Sequence, residues 1–360
     1  MVRKIDWERQ IGRRLKLRDL HVFVTTAERG SMAKAAAQLG VSQSAVSEVM
    51  ADLEHALGVR LLDRTRHGAE PTEFGRALLK RTLAAFDELR QGVKDIEFLA
   101  DPTVGELRIG CAESVSTAIL PPIIDRFSQR YPGIVLHVQN LVSPTLELPE
   151  LRARNLDLFI SRLVRPLAKD VDDLNVETLF DDEMVLAAGA QTRWATRAKI
   201  DLAELANEPW ILNPPSSWNY ITVAEAFRAR GLPMPKICLM TFSIHLRANL
   251  LATGPYITGF PSTFLRLNTD RFSLKALPVE LPVRPWPVAI VTLKNRALSS
   301  VAQLFVNHVR ASTRSMAGDS SAVKNPPEAE TSPRHPQAAI AGIARPAAAP
   351  RLTPPSDSRG

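Results

Sequence analysis

From Leu20 to Leu53 apolar residues recur at the three- and four-residue spacing of helices buried on one face. Leu20, Phe23 and Val24 mark a first short helix. Ala33, Ala36, Ala37 and Leu39 mark the buried face of a second, with Ser31 placed to cap it. Ala45, Val46, Val49 and Leu53 mark a third, opened by Ser42. The alanines let a neighbouring helix approach closely. Gly40 suits the left-handed position that ends a helix, and Val41 is expected to fill the corner after it. Gln43, Ser44, Ser47, Glu48 and Met50 are then left facing outward. The next stretch, "VRLLDRTRHGAEPT", reads as strand, turn and strand with Gly68 in the turn. Two helices at a tight turn followed by a hairpin are the pattern of a winged helix-turn-helix, whose second helix meets base edges in the major groove. A helical hairpin with a solvated face has the same spacing.

Residues 73–100 carry one long helical pattern. Leu78, Thr82, Ala85, Leu89, Gly92, Ile96 and Leu99 alternate by four and three, a period near that of a coiled coil. The stripe fits a dimerisation helix or a helix packed on its own domain. Its position between two domains, with little else to cover it, favours the first. Asp101-Pro102 ends it. Strand-like and helix-like runs then alternate up to residue 312. Leu107, Ile109 and Cys111 lie on a first strand, and Leu120, Ile123, Ile124, Phe127 and Tyr131 on a helix. "GIVLHV" and "LDLFIS" read as further strands, so a mostly parallel sheet with helices on both faces is expected. Ligands of such sheets sit at the carboxyl ends of the strands. That places Ser114, Ser116 and Thr117 at a helix N-terminus where a carboxylate or phosphate is welcome; plain helix capping explains the same residues. "DDEMVLAAGA" and "EPWILNPPSSWN" begin a second lobe, and "PYITGFP" returns toward the first.

Composition adds limits. A chain of 360 residues allows two or three domains. The net charge of +7 leans weakly toward anionic partners. The charged N-terminus is no signal peptide, no run is long and apolar enough to span a bilayer, and two distant cysteines make no disulfide framework. A cytoplasmic location is expected. From Ala311 the composition turns to Pro and Ala with no aromatic residue, so residues 313–360 are expected to be disordered. The histidines are scattered, and neither "HExxH", "GxSxG" nor a phosphate-binding loop occurs, which argues against an enzyme. A pure solute-binding protein would lack the first hundred residues. No metal or cofactor is expected. Cys111, at the end of the first strand, is read as buried and inert, with thiol sensing as the alternative.

Charge raises one difficulty for DNA binding. No Lys or Arg lies between Lys34 and Arg60, and the third helix carries Glu48, Asp52 and Glu54. Phosphate contacts supply affinity and base contacts supply specificity, so the two tasks can sit on different elements. Arg60, Arg64, Arg66 and His67 cluster in the hairpin, and Arg13, Arg14, Lys16 and Arg18 lie upstream. Gln43 suits adenine, Ser44 and Ser47 suit several base edges, and Glu48 suits the cytosine amino group. The candidate DNA-contacting set is Ser31, Ala33, Ser42, Gln43, Ser44, Ser47, Glu48, Arg60, Arg64 and Arg66.

"GSMAKAAAQLGVSQSAVS", "LEHALGVRLLDR" and "PTEFGRALL", within Leu15 to Leu79, closely resemble the N-terminal domain of LysR-type transcriptional regulators, and the resemblance continues through "GELRIGCAESVSTAILPPIIDRFSQRYPGIVL" to about Arg310. It implies an α/β plus all-α chain with a winged helix-turn-helix at 15–75, a linker and dimerisation helix at 76–100, and a two-lobed periplasmic-binding-protein-like sensing domain at 104–312. Lobe I is expected at 104–161 and 262–312, and lobe II at 162–261, with crossings near Ser161-Arg162 and Gly259-Phe260-Pro261. A small-molecule effector is implied between the lobes, near Ser114, Ser116, Ser161, Arg162, Asn213, Ser216, Ser217 and Ser243. Arg162 is either an anchor for an anionic ligand or a solvated hinge residue. The implied partners are double-stranded DNA, the effector, a second copy in a homodimer or homotetramer, and RNA polymerase, with no membrane. Two positions depart from the family pattern: Ser44 stands where Pro is common, and Glu48 where Arg or Lys is common.

Overall fold

Short polar caps cut the N-terminal region into helices. The computed structural model describes residues 15–65, 68–141, 147–163 and 171–318. The first helices are α1 (Leu17–Arg29), α2 (Met32–Leu39) and α3 (Gln43–Leu57). The Ser31 hydroxyl accepts the Lys34 N–H and the Ser42 hydroxyl accepts the Ala45 N–H, so each serine satisfies a backbone donor that its helix leaves free. Gly40 ends α2 at φ +66°, a conformation costly for any residue with a Cβ. The core joins Phe23, Ala36, Val46, Met50, Leu53, Leu61 and Leu62.

Three expectations about this core fail. On α2 the buried alanines are Ala35 and Ala36, while Ala33 and Ala37 are exposed. The α2 stripe runs through Met32, Ala35, Ala36 and Leu39, the i, i+3, i+4, i+7 pattern that lets one short helix pack on both α1 and α3. On α3 the stripe is Val46, Met50 and Leu53, so Met50 is wholly buried rather than outward. Val41 is exposed and fills no corner.

The hairpin β1 (Leu62–Thr65) and β2 (Gly68–Pro71) pairs antiparallel, with Leu62 opposite Pro71. It docks on the end of α1, where the Ala69 N–H donates to the Gly30 carbonyl at 2.8 Å. A Cβ on Gly68 would lie 2.3 Å from that carbonyl oxygen, so only glycine permits the approach.

Thr72 caps α4 (Glu73–Ala100), a helix of 28 residues with two different faces. Of the expected stripe, Leu78 packs on the N-terminal core and Thr82 is buried, while Ala85, Leu89, Gly92, Ile96 and Leu99 are exposed, Ile96 at 67% and Leu99 at 79%. Asp87 and Gln91 are buried against the C-terminal domain. Asp87 accepts from Arg296 at 2.7 and 3.1 Å and from Arg154 at 2.7 Å. Arg296 also donates to Asp157 at 2.9 Å and to the Leu156 carbonyl at 2.6 Å.

The C-terminal domain carries β3 (Val104–Cys111), α5 (Glu113–Ser116), α6 (Leu120–Arg130), β4 (Gly133–Asn140), α7 (Pro149–Arg152), β5 (Leu158–Arg162) and β6 (Leu174–Asp182). It continues with β7 (Met184–Gly189), β8 (Trp210–Leu212), α8 (Trp218–Ala229), β9 (Ile237–Met240), α9 (Ile244–Thr253), β10 (Thr258–Pro261), α10 (Ser262–Asn268), β11 (Leu274–Ala276), β12 (Trp286–Leu293) and α11 (Ser300–Gly318). The first-lobe sheet has the order β4-β3-β5-β12-β6. It is mixed rather than mostly parallel: β3 pairs parallel with β4 and β5, but β12 returns from the second lobe and pairs antiparallel with β5 and β6. The second lobe holds β10-β7-β11 and the parallel pair β8-β9, joined by a bridge from Trp210 to Ile257.

This pairing moves the expected lobe boundaries. Because β6 lies in the first sheet and β7 in the second, the chain first crosses at Glu183, not at Ser161-Arg162. Thr258–Pro261 pairs inside the second lobe, and the return runs through 277–285, between β11 and β12. At the C-terminus α11 extends to Gly318, so residues 313–318 are helical rather than part of the tail; the remaining tail lies outside the described residues. Among the described residues no helix is long and apolar enough to cross a membrane.

Asp87 carries the attachment of α4. Burial raises its carboxyl pKa, but the hydrogen bonds and charges of Arg154 and Arg296 outweigh burial and hold it below its ordinary value of 3.8. Its stabilising contribution is therefore complete above that value and is lost as pH falls through the lowered folded value. Asp87→Ala leaves two buried guanidiniums short of a carboxylate and is expected to cost about 3 kcal/mol. Thermal unfolding and the rate of limited proteolysis within α4 will check this; an unchanged melting temperature contradicts it.

Candidate DNA-reading surface and effector site

The second helix of the motif presents the expected polar face. Gln43, Ser44 and Glu48 are exposed or half-exposed, as is Ser47. Ser44 is partly engaged, since its hydroxyl lies 2.9 Å from that of the capping Ser42. Ser31 serves as the α2 cap, and exposed Ala33 follows it in the first turn. Arg60 is exposed beside the hairpin. Arg64 lies on β1 with its backbone described; Arg66 and His67, like Arg13 and Arg14 upstream, fall outside the described residues. Lys16 and Arg18, at the start of α1, are exposed.

One of the three acidic residues on this helix proves structural. The Glu54 carboxylate accepts the Leu61 N–H at 2.7 Å and the Leu62 N–H at 3.2 Å. It ties the end of α3 to the hairpin, three turns along the helix from Gln43. The acid nearest the N-terminal reading face is Glu48, with Asp52 one turn further on.

The residues expected around the effector do not form one group. Arg162 is 1% exposed at its side chain and is neither free nor solvated. It donates twice to Asp182, through Nε at 3.1 Å and through Nη2, and also to the Thr263 hydroxyl at 2.9 Å and the Ser114 hydroxyl at 2.8 Å. Burial pushes the Asp182 carboxyl up, but the Arg162 charge and the Thr263 and Ser262 hydroxyls outweigh it and hold the pKa low. A buried, hydrogen-bonded pair of this kind has no charge to spare for a ligand. It joins the ends of β5 and β6 to the start of α10.

Ser161 alternates with Arg162 across β5, so the two side chains take opposite faces. The Ser161 hydroxyl donates to the Arg162 carbonyl at 3.3 Å. The Ser116 and Thr117 hydroxyls turn back to the Glu113 carbonyl, both at 2.9 Å. Ser116 lines an outer groove with Leu120, Ile124 and Val138 rather than joining Ser114. The reason is length: α5 is a single turn, and its hydroxyls are used in closing it. Ser217 caps α8 by accepting the Tyr220 N–H, while Ser216 is exposed.

Ser114 and Ser243 lie where the lobes join, and Asn213 lies within the second lobe. Ser114 touches Arg162. Ser243 caps α9, and its hydroxyl reaches Glu113 of the first lobe. Asn213 is buried at 6% exposure, and its Oδ1 has no hydrogen-bond partner. Its N–H donates to Asn219 Oδ1 at 3.0 Å, and Asn219 Nδ2 donates to the Gly259 carbonyl at 2.7 Å. Arg247 Nη1 donates to the same carbonyl at 3.0 Å. Sequence reasoning misses Glu113, Asp182, Asn219, Arg247 and Thr263. Arg247 leaves the clearest signal, a lone arginine in the otherwise apolar and polar-neutral helix "IHLRANLLAT".

A winged helix-turn-helix, a long connecting helix and a two-lobed α/β domain together define a ligand-responsive DNA-binding regulator. A family model described as "LysR substrate binding domain" matches residues 100–314, and one described as "Bacterial regulatory helix-turn-helix protein, lysR family" matches residues 17–76. The chain therefore belongs to the LysR family of transcriptional regulators and is not an enzyme. Among its relatives, the uncharacterized regulator YdcI of Escherichia coli is 27% identical over 301 residues, which are 84% of this chain and 97% of YdcI. The regulator TdcA of Escherichia coli is 28% identical over 294 residues, 81% of this chain and 91% of TdcA. A full-length OxyR variant from Pseudomonas aeruginosa shares the fold, with a TM-score of 0.58 at 20% identity, covering 83% of this chain and 95% of its own.

The chemistry of Cys111 argues against a thiol sensor. Its side chain is buried in the first-lobe core, and Sγ lies 3.5 Å from Asn140 Oδ1. Burial pushes the thiol up to about 11 against weaker hydrogen bonds from Ser116. Since the thiolate is the reactive form, Cys111 is expected to resist iodoacetamide at neutral pH in the folded protein, while exposed Cys238 is alkylated first. Mass spectrometry of a labelling time course will show it; Cys111 reacting as fast as Cys238 contradicts the assignment.

Proposed function

We propose that α3 enters the major groove through Gln43, Ser44, Ser47 and Glu48, and that Arg60, Arg64 and Arg66 hold the flanking phosphates. The observation that carries this reading is the polar N-terminal face of α3, with Glu54 turned back to the hairpin. Ser31, Ala33 and Ser42 lie at the starts of the two helices, where backbone N–H groups suit phosphate contacts. The exposed α4 residues Leu89, Val93, Ile96 and Leu99 support a homodimer through paired linker helices, and two such dimers would make a tetramer. A twofold dimer reads an inverted repeat whose half-sites lie about one helical turn, roughly 34 Å, or a multiple apart.

In the C-terminal domain a small-molecule effector, acting without a cofactor, binds where the lobes meet, at Ser114, Asn213 and Ser243. By favouring one lobe arrangement it shifts the population of paired DNA-binding domains. The protein works in the cytoplasm, with RNA polymerase as a further partner.

Two substitutions separate base reading from phosphate binding. Gln43→Ala is expected to relax base preference at its position in the operator while leaving non-specific DNA binding nearly intact; a uniform loss on all DNA contradicts the role. Arg64→Ala is expected to weaken binding to every sequence and to flatten the logarithmic salt dependence by about 0.9 for each phosphate that Arg64 neutralises. Fluorescence anisotropy across a salt series measures both, and an unchanged slope removes Arg64 from the phosphate-binding set.

A further inference from the structure

The junction between the lobes already holds a carboxylate of the chain's own. Glu113 opens α5 at the end of β3, in the first lobe, and its side chain reaches the first turn of α9 in the second. Oε2 accepts the Ile244 N–H at 2.9 Å, and Oε1 accepts the Ser243 hydroxyl at 3.5 Å. The start of this ten-residue helix offers unpaired N–H groups and a positive dipole end, the setting an anion favours.

Two buried groups adjoin this cradle. Arg247, one turn further along α9, is 2% exposed, and its Nε has no hydrogen-bond partner. Its Nη1 bonds are to neutral oxygens, Gly259 O at 3.0 Å and Thr258 Oγ1 at 3.3 Å, and burial pushes its guanidinium down to about 10, which the charge of Glu113 only partly offsets. The second group is Asn213. The preceding residue, Leu212, accepts the Thr241 N–H at 2.9 Å, and Thr241 Oγ1 accepts the Ser243 N–H at 3.1 Å, so Asn213 lies beside the loop that opens α9. Its buried Oδ1 is an acceptor without a donor.

Within the junction Arg162 is thus answered by Asp182, and the N-terminal end of α9 by Glu113. An anionic ligand entering here would displace Glu113 from the helix end or leave two carboxylates competing for the same N–H donors, and both are costly. An uncharged ligand meets neither cost, and a hydroxyl or amide N–H on it would satisfy Asn213.

We propose that Glu113 is a resident stand-in for an effector carboxylate, so that this chain takes an uncharged, hydrogen-bond-donating small molecule and rejects small carboxylates. This deepens the effector reading given above and rests on it. Removing Glu113 should convert the junction into a carboxylate site, because the Ile244 N–H and the Ser243 hydroxyl are then unanswered one turn from the buried Arg247.

The test uses the full-length wild type, Glu113→Ala and Glu113→Gln. Acetate, uncharged acetamide and a chloride control are titrated at constant ionic strength, and binding is followed by thermal shift and by tryptophan fluorescence. Acetate is expected to bind Glu113→Ala at least about 10-fold more tightly than wild type, with no such gain for acetamide. Equal acetate affinity in wild type and variant overturns the proposal. An equal gain for acetamide also overturns it, since vacated volume rather than charge would then be responsible. If Glu113→Ala does not fold, Glu113→Gln carries the same comparison, and acetate affinity no higher than wild type overturns the assignment. Footprinting on operator DNA separates this from the underlying reading: acetate binding to the variant with an unchanged footprint upholds Glu113 as the stand-in and counts against the junction as the effector site.

Discussion

Withdrawing a guanidinium from water is costly unless a carboxylate meets it. Two buried arginines meet that condition at places where parts of this chain are joined. Arg296 meets Asp87 and Asp157 and binds the linker helix to the first-lobe core. Arg162 meets Asp182 and fastens β5 to β6 and α10. A third, Arg247, is buried in the second lobe against neutral oxygens instead, and burial lowers its pKa to about 10. The apolar clusters alone would tolerate sliding, because apolar burial has no direction. The ion pairs have direction and fixed partners, so they set how the helix and the sheets register on one another.

This arrangement bears on how a signal travels. Asp87 divides α4 into two faces at one position along its length: one is bound to the sensing domain, while Leu89, Ile96 and Leu99 on the other are exposed. A change in the first-lobe core therefore reaches the helix that leads to the DNA-binding domain. The second lobe reaches that core by the strand passages at Glu183 and 277–285, by a shared apolar cluster, and by the Glu113 contact. Of these, the Glu113 contact is polar, partly exposed and made by a single side chain.

What is legible in the sequence is local. Ser31, Ser42, Gly40 and Gly68 can be placed because caps and turns depend on near neighbours. The α4 stripe can be read because its period follows from one helix. Errors begin where two partners compete for one residue. Spacing alone misplaces Ala33 and Met50 because each helix packs on two others, which rotates the buried stripe. The lobe boundary that the family resemblance implies fails because β6 joins the first sheet by pairing with β12, more than a hundred residues later. The effector site is the least legible. Serines at strand ends have the chemistry of ligand contacts, yet most of them close their own turns. The decisive pairs, Arg162 with Asp182 and Glu113 with Ile244, are 20 and 131 residues apart, and no short pattern announces them.

The acidic character of α3 takes on a different meaning once Glu54 is assigned. By composition the negative charge of this helix is a general obstacle to DNA, but a carboxylate that accepts two backbone N–H groups of the hairpin is occupied and lies at the far end of the helix. Glu48 remains, next to Ser47 and one turn from Gln43. An acceptor there gains only where a base offers a donor, as the cytosine amino group does, and it repels any phosphate that comes near. A lysine or arginine at this position would strengthen binding to every sequence, since phosphate is everywhere. Glutamate weakens binding to most sequences and less to a few. On the DNA reading proposed for α3, sequence-independent attraction falls to basic residues outside the helix, and Glu48 is the residue that discriminates.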